Sequence, residues 1–235
     1  MMRETNCIHL EELPDLPSRL ARVAAIAAEI EGMPDETYAP VGSILDPIEW
    51  FSLAAVAKST SNAHAFQHMV VSRNSIAAAA IVRMQIEAAM RLFGLTLVEN
   101  PDDAGARLMK GERYSSLRMK GDGPRLVDKL LHEELSKLYA WVTDAYESTS
   151  AYVHLDRVAI NSKLTYLEPD AFFSLSGIDK AKPEEAYYHL VDTFFIALRM
   201  TKQLLEDFLA TRPKPCERAE RLAKFRRERY GNDEI

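Results

Sequence analysis

The chain has 235 residues, of which 47% are hydrophobic, with a mean hydropathy of −0.20 and a formal net charge of −6. That length suits one large domain, or one domain with appendages, and the composition allows a sizeable core without a membrane. No run reaches the roughly 18 apolar residues that a transmembrane helix needs, and the acidic body argues against broad nucleic-acid binding.

The opening stretch, MMRETNCIHLEELPDLP, is acidic and interrupted by proline, and it reads as neither a signal nor a transit peptide. Cys7 and Cys216 lie near opposite ends and make no metal pattern, so free thiols and a cytoplasmic setting are expected. Helical periodicity dominates the chain. A first helix within residues 11–32 ends near Gly32 and Pro34, and a loop follows to about residue 45. Asp46-Pro47 reads as an N-cap with proline in the first turn. The helix it starts runs to about Lys58. Ser59–Asn62 reads as a second capping cluster, and helix resumes to about Leu97.

Pro101, followed by acidic residues, predicts a short helix. Gly121-Asp122-Gly123-Pro124 marks a turn. Helix is then expected from about Arg125 to Ser148, with extension to His154. Residues 155–183 read as irregular, with a short strand at Lys163–Leu167. A strong helix runs from Pro183 to about Ala210, and Arg212-Pro213-Lys214-Pro215 links it to a terminal helix. The expectation is an all-α bundle of about four core helices with accessory N- and C-terminal helices. Its parts are an N-terminal helix and loop over 1–44, the helical domain over 45–211, and a basic tail over 212–235. Tyr187, Tyr188, Phe194, Phe195, Phe208, Phe172 and Phe173 read as core, with some of them available to a dimer seam.

Polar chemistry set among core-type residues concentrates in two places. Arg83 and Glu87 stand four apart in the run SIAAAAIVRMQIEAAMRLF, so they share a helix face. They form either an ion pair that fixes helix register or an arginine held by its glutamate to face a phosphate. Tyr146 and Ser150 share a face in the same way, with His154 one turn further on. His154 reads as a core or helix-end histidine, or as a general acid or base. Ser150 has no nucleophile-elbow sequence around it and fits an orienting role better.

This arrangement, Arg-x-x-x-Glu on one helix and Tyr-x-x-x-Ser-x-x-Val-His at the end of another, resembles the bacterial HEPN-like domains. The resemblance covers roughly residues 55–158 and the helix at 184–210. It implies a helical bundle, commonly a homodimer. It also implies either a metal-independent ribonuclease of toxin–antitoxin or antiviral defence systems or a non-catalytic binding module. On that resemblance Arg83 contacts the scissile phosphate, Glu87 orients Arg83, and His154 is the acid/base. The common ribonuclease motif places an arginine and a histidine on one helix with four to six residues between them. No arginine stands at that distance before His154. Arg125 and His132 do fit it, although Arg125 directly follows a turn.

Residues 212–230 carry eight basic side chains against three acidic ones. They read as a solvated helix docked on the acidic body, or as a phosphate-contacting arm through Arg218, Arg221, Lys224, Arg226 and Arg227. His64 and His68 have i,i+4 spacing, but Ala65 stands where a zinc peptidase needs glutamate. Glu185 and His189 have the wrong spacing for a di-iron bundle. No metal or cofactor is expected, and no glycine-rich phosphate loop occurs. The expected partners are a second copy, an RNA substrate and a neutralising protein. The alternative is a non-enzymatic helical module that binds a protein or nucleic acid.

Overall fold

The computed structural model describes residues 13–38, 42–153, 160–161, 163–167, 169–179 and 182–230. It is an all-α bundle with one small hairpin. Helix α1 (Leu16–Tyr38) turns Val23, Ile26, Ala27 and Ile30 inward at helical spacing. It runs through Pro34, where the sequence predicted an end. Pro34 lies beyond Ile30, the last buried residue of the helix. The final turn is held from outside, because Tyr38 bonds Ser52 at 2.7 Å. Tertiary anchoring thus outweighs the backbone hydrogen bond that proline removes.

Helix α2 (Pro47–Val71) starts as expected, with the Asp46 N–H bonded to Glu49 at 2.8 Å. The expected break at Ser59–Asn62 is absent, because both residues are buried and serve the core. The break falls at residues 72–74, where Arg73 takes a left-handed φ of 60°. The Asn74 side chain then caps α3 (Ser75–Gly94) by accepting from the Ala77 N–H at 3.0 Å.

Helix α4 (Pro101–Met109) and the 121–124 turn follow the sequence. The Asn100 side chain accepts from the N–H groups of Asp102 and Asp103, and Gly121 and Asp122 have positive φ. The single helix expected from Arg125 is instead α5 (Asp128–Ser136) and α6 (Trp141–Val153). Residues 125–127 are pinned in extended form: Arg125 bridges Arg118, and the Leu126 N–H bonds the Leu117 carbonyl at 2.9 Å. The break after Ser136 lets α5 and α6 each pack on α3.

Strand β1 (Leu164–Leu167) pairs antiparallel with β2 (Asp170–Phe173), a partner the sequence did not announce. Helix α7 (Tyr188–Leu209) follows a 3-10 turn at Glu184–Tyr187. Its Phe194 stacks on Phe66 of α2 with ring centroids 4.0 Å apart. Phe195, Phe208 and Tyr187 are buried as expected, whereas Phe172 and Phe173 are exposed and outside the core. The core runs from α1 to α7.

Helix α8 (Pro215–Tyr230) docks through Arg218, whose guanidinium is buried against the buried carboxylate of Glu49. It also lies 4.8 Å over the Tyr38 ring. A buried charge persists when it is paired and hydrogen-bonded. A neutral network ties the centre. Gln85 of α3 is fully buried; its oxygen accepts from Asn62 at 3.0 Å, and its amide donates to Ser59 at 3.1 Å and Thr201 at 2.8 Å. These contacts join α2, α3 and α7. Replacing Gln85 with Ala leaves the Asn62 amide without this partner and opens a small void. The expected loss is roughly 2–4 kcal/mol in urea unfolding.

Asp179 anchors the chain after the hairpin to the start of α3. It accepts from Lys163 at 2.5 Å, from Lys182 at 3.2 Å and from Ser75. Burial pushes its pKa up, but those hydrogen bonds outweigh burial and hold it at about 2, below the ordinary 3.8. A carboxyl lowered by folding stabilises the fold above its unfolded pKa, and that contribution disappears as pH falls through the folded value. Asp179→Asn is therefore expected to flatten the loss of stability between pH 4 and about 2, read by urea unfolding across that range.

Candidate active site

Three helices converge on one polar face. Helix α3 presents Arg83, Glu87 and Arg91, each four residues from the next, so all three lie in one row. Helix α6 supplies Tyr146 and Ser150, and α5 supplies Asp128, His132 and Ser136 at the same spacing.

Arg83 is the centre of this face. Its Nε donates to Glu87 at 2.9 Å, and one Nη donates to the Tyr146 carbonyl at 3.2 Å and to the Ser150 hydroxyl. The guanidinium carbon lies 3.1 Å from the centre of the Tyr146 ring, a cation–π stack. The Tyr146 hydroxyl is a further hydrogen-bond partner of the guanidinium. The Arg83 side chain is 10% exposed and that of Glu87 is 40% exposed, so the pair opens to solvent at the glutamate.

Ser150 donates its own proton to the Tyr146 carbonyl at 2.7 Å. With that proton engaged, it positions Arg83 rather than attacking a substrate. The Tyr146 hydroxyl has its pKa raised, first by burial. Arg83 opposes the shift, and the charges of Asp128 and Glu87 reinforce it. Groups from α3 and α5 therefore act electrostatically on a ring carried by α6.

His132 also stacks on the Tyr146 ring, with centroids 4.4 Å apart and planes inclined by 27°. The His132 Nε2 is buried without a hydrogen-bond partner. Nearby on the same row, Asp128 pairs with Arg91. Of the residues singled out in the sequence, Arg83, Glu87, Tyr146 and Ser150 lie together. Arg91 and Asp128 join them without having been expected, and His132, expected as a partner of Arg125, joins them through Tyr146 instead; the i,i+4,i+8 spacings on α3 and α5 were the signal that could have found them. His154 lies outside the described residues.

The Arg125–His132 pair is not formed as one helix face. Helix α5 begins at Asp128, and Arg125 is exposed in the extended segment before it. Arg218 is corrected as well: it is buried on Glu49 and faces no phosphate. Arg221, Lys224, Arg226 and Arg227 are exposed along α8. His64 and His68 are exposed on α2, and no group of three metal-ligating side chains occurs among the described residues. A cavity of about 470 Å³ lies elsewhere, between the start of α4 and the 117–122 turn, lined in part by Glu99, Arg107 and Lys120. It shares no residue with the Arg83 cluster. No protein-family model, no curated protein and no solved structure matches the chain.

Arg83 has a structural duty whatever else it does. Arg83→Met removes two hydrogen bonds between α3 and α6 and the one to Glu87 within α3, and is expected to lower stability by roughly 1–3 kcal/mol. Glu87, being partly exposed, stays hydrated and limits the loss. Arg83→Lys is expected to recover little, because an ammonium cannot reproduce the planar fork. Calorimetric unfolding of the three proteins checks both statements.

Proposed function

We propose that the chain is an HEPN-like domain that cleaves RNA without a metal, as a toxin or defence effector and as a homodimer. One observation carries the reading. Arg83 is held in place by Glu87, the Tyr146 carbonyl and the Ser150 hydroxyl, with its guanidinium stacked on the Tyr146 ring. A guanidinium pre-oriented in this way suits charge developing on a phosphate, because no reorganisation is needed at the moment of reaction.

The chemistry is attack of a ribose 2′-hydroxyl on its neighbouring phosphorus. The O2′–P bond forms, the P–O5′ bond breaks, and a 2′,3′-cyclic phosphate leaves beside a 5′-hydroxyl. Arg83 receives the negative charge. Glu87, Ser150 and the Tyr146 carbonyl hold Arg83. The resemblance gives the proton transfers to His154. The exposed cations Arg221, Lys224, Arg226 and Arg227 give RNA a second, sequence-independent contact.

A second reading is favoured by the burial of Arg83 and the engagement of Ser150. In it, the cluster is a helix-to-helix tie, and the protein is a binding module for a protein or nucleic acid. End-labelled RNA separates the two. Cutting that survives EDTA and disappears in both Arg83→Lys and His154→Ala, with the fold retained by circular dichroism, is the expected result. Intact RNA with well-folded wild-type protein overturns the cleavage reading in favour of the module.

A further inference from the structure

The turn that precedes α5 holds a local conflict. Arg118 and Arg125 stand opposite each other in an antiparallel bridge. That pairing brings their Cα atoms to about 5 Å and puts both side chains on one face. Like charges in this position destabilise the pairing. Both side chains are exposed, and no carboxylate pairs with either among the described residues; Arg118 Nη donates only to the Gly123 carbonyl, at 3.2 Å. Burial alternates just before the turn: Leu117 and Met119 face the core, while Arg118 and Lys120 face outward. The Lys120 ammonium has no ion pair among the described residues either. Three unanswered cations thus share one side of the turn, and uncompensated conflicts of this kind concentrate at functional sites. Arg118 and Lys120 also line the cavity of about 470 Å³ beside the start of α4, a size within the roughly 300–1,000 Å³ of small-molecule sites.

We propose that Arg118, Lys120 and Arg125 bind the phosphate of a nucleotide whose base enters this cavity. A phosphate between the two arginines turns their repulsion into a pair of charge-assisted contacts, and Lys120 adds a third. Asp122 is the one carboxylate on the turn itself, so the rim keeps a net positive charge. Inside the cavity, Val98, Leu117 and Met119 supply apolar surface. Arg107 lines it too, with Nε and Nη2 already held by Glu112 at 2.7 and 2.5 Å. A planar guanidinium fixed in this way is a surface on which a base stacks. The carboxylates of Glu99 and Asp103, the latter only loosely paired with Arg107 at 3.9 Å, line the same space. They accept from the exocyclic amino group of cytosine and disfavour the carbonyl that uracil carries there. A free nucleotide and a nucleotide within an RNA strand share this chemistry. Naming RNA as the source rests on the cleavage reading above; the site itself does not.

The test is an NMR titration of isotopically labelled full-length protein with cytidine 5′-monophosphate, followed at the backbone amides of residues 117–123. The expected result is a saturable shift, severalfold weaker with uridine 5′-monophosphate and severalfold weaker with cytidine, which lacks the phosphate. Arg118→Gln and Arg125→Gln are each expected to weaken cytidine 5′-monophosphate severalfold and to leave cytidine unchanged. Arg125→Gln, relieved of a like charge, is expected to unfold at no lower temperature than wild type. No saturable shift with cytidine 5′-monophosphate overturns the site. Unchanged affinity in both arginine variants overturns the phosphate contact, and equal affinity for inorganic phosphate and the nucleotide overturns the cavity as the place of the base. A short cytosine-containing 2′-O-methyl RNA is then added to the nucleotide-loaded protein. Displacement of the nucleotide supports an RNA strand as the source, whereas its retention assigns the site to free nucleotide. Cut RNA without nucleotide shifts overturns the site and leaves the cleavage reading standing; nucleotide shifts with intact RNA do the reverse.

Discussion

Gln85 sits in the middle of α3 with no access to water, so its amide has to be answered by protein on both sides. Asn62 and Ser59 answer from α2 and Thr201 answers from α7. An apolar contact tolerates a slip of neighbouring helices; four polar groups that must meet do not. The network therefore sets how α2, α3 and α7 stand against one another, and so which row of α3 remains for α5 and α6. That row is Arg83, Glu87 and Arg91. The placement of the candidate site follows from a neutral hydrogen-bond network beside it.

The same helix thus carries two kinds of polar solution. Gln85 is satisfied in full and contributes to a unique packing. Arg83 is charged and tied to Glu87, the Tyr146 carbonyl and Ser150, so it joins α3 to α6 at the edge of the core, beside the partly exposed Glu87.

Much of this architecture was legible in the chain, and the failures share a cause. Proline at Pro47 and Pro101 marked helix starts, because it lacks only an N–H that is unsatisfied there anyway. The periodic apolar residues of α7 marked a buried face. Ser59 and Asn62 misled, because serine and asparagine favour caps locally; only the distant amide of Gln85 shows why they lie within a helix. Arg125 looked helical until Leu117 and Arg118 drew residues 125–127 into extended form. Arg218 looked like one tail charge among eight, and its burial depends on Glu49, 169 residues away. Each miss is a tertiary contact overriding a local preference. The site followed the same rule. Arg83 with Glu87, and Tyr146 with Ser150, were visible as spacings. His132 came into the cluster only through the break that separates α5 from α6.

The central claim is that the Arg83 face meets a phosphate backbone. The most direct measurement is an NMR titration of the labelled arginine side chains with a short 2′-O-methyl RNA, which lacks the hydroxyl needed for its own cleavage. The account predicts that the Arg83 guanidinium signal and the Tyr146 ring shift together and saturate. Shifts confined to Arg226, Arg227 and their neighbours on α8, or no shift at all, would contradict it.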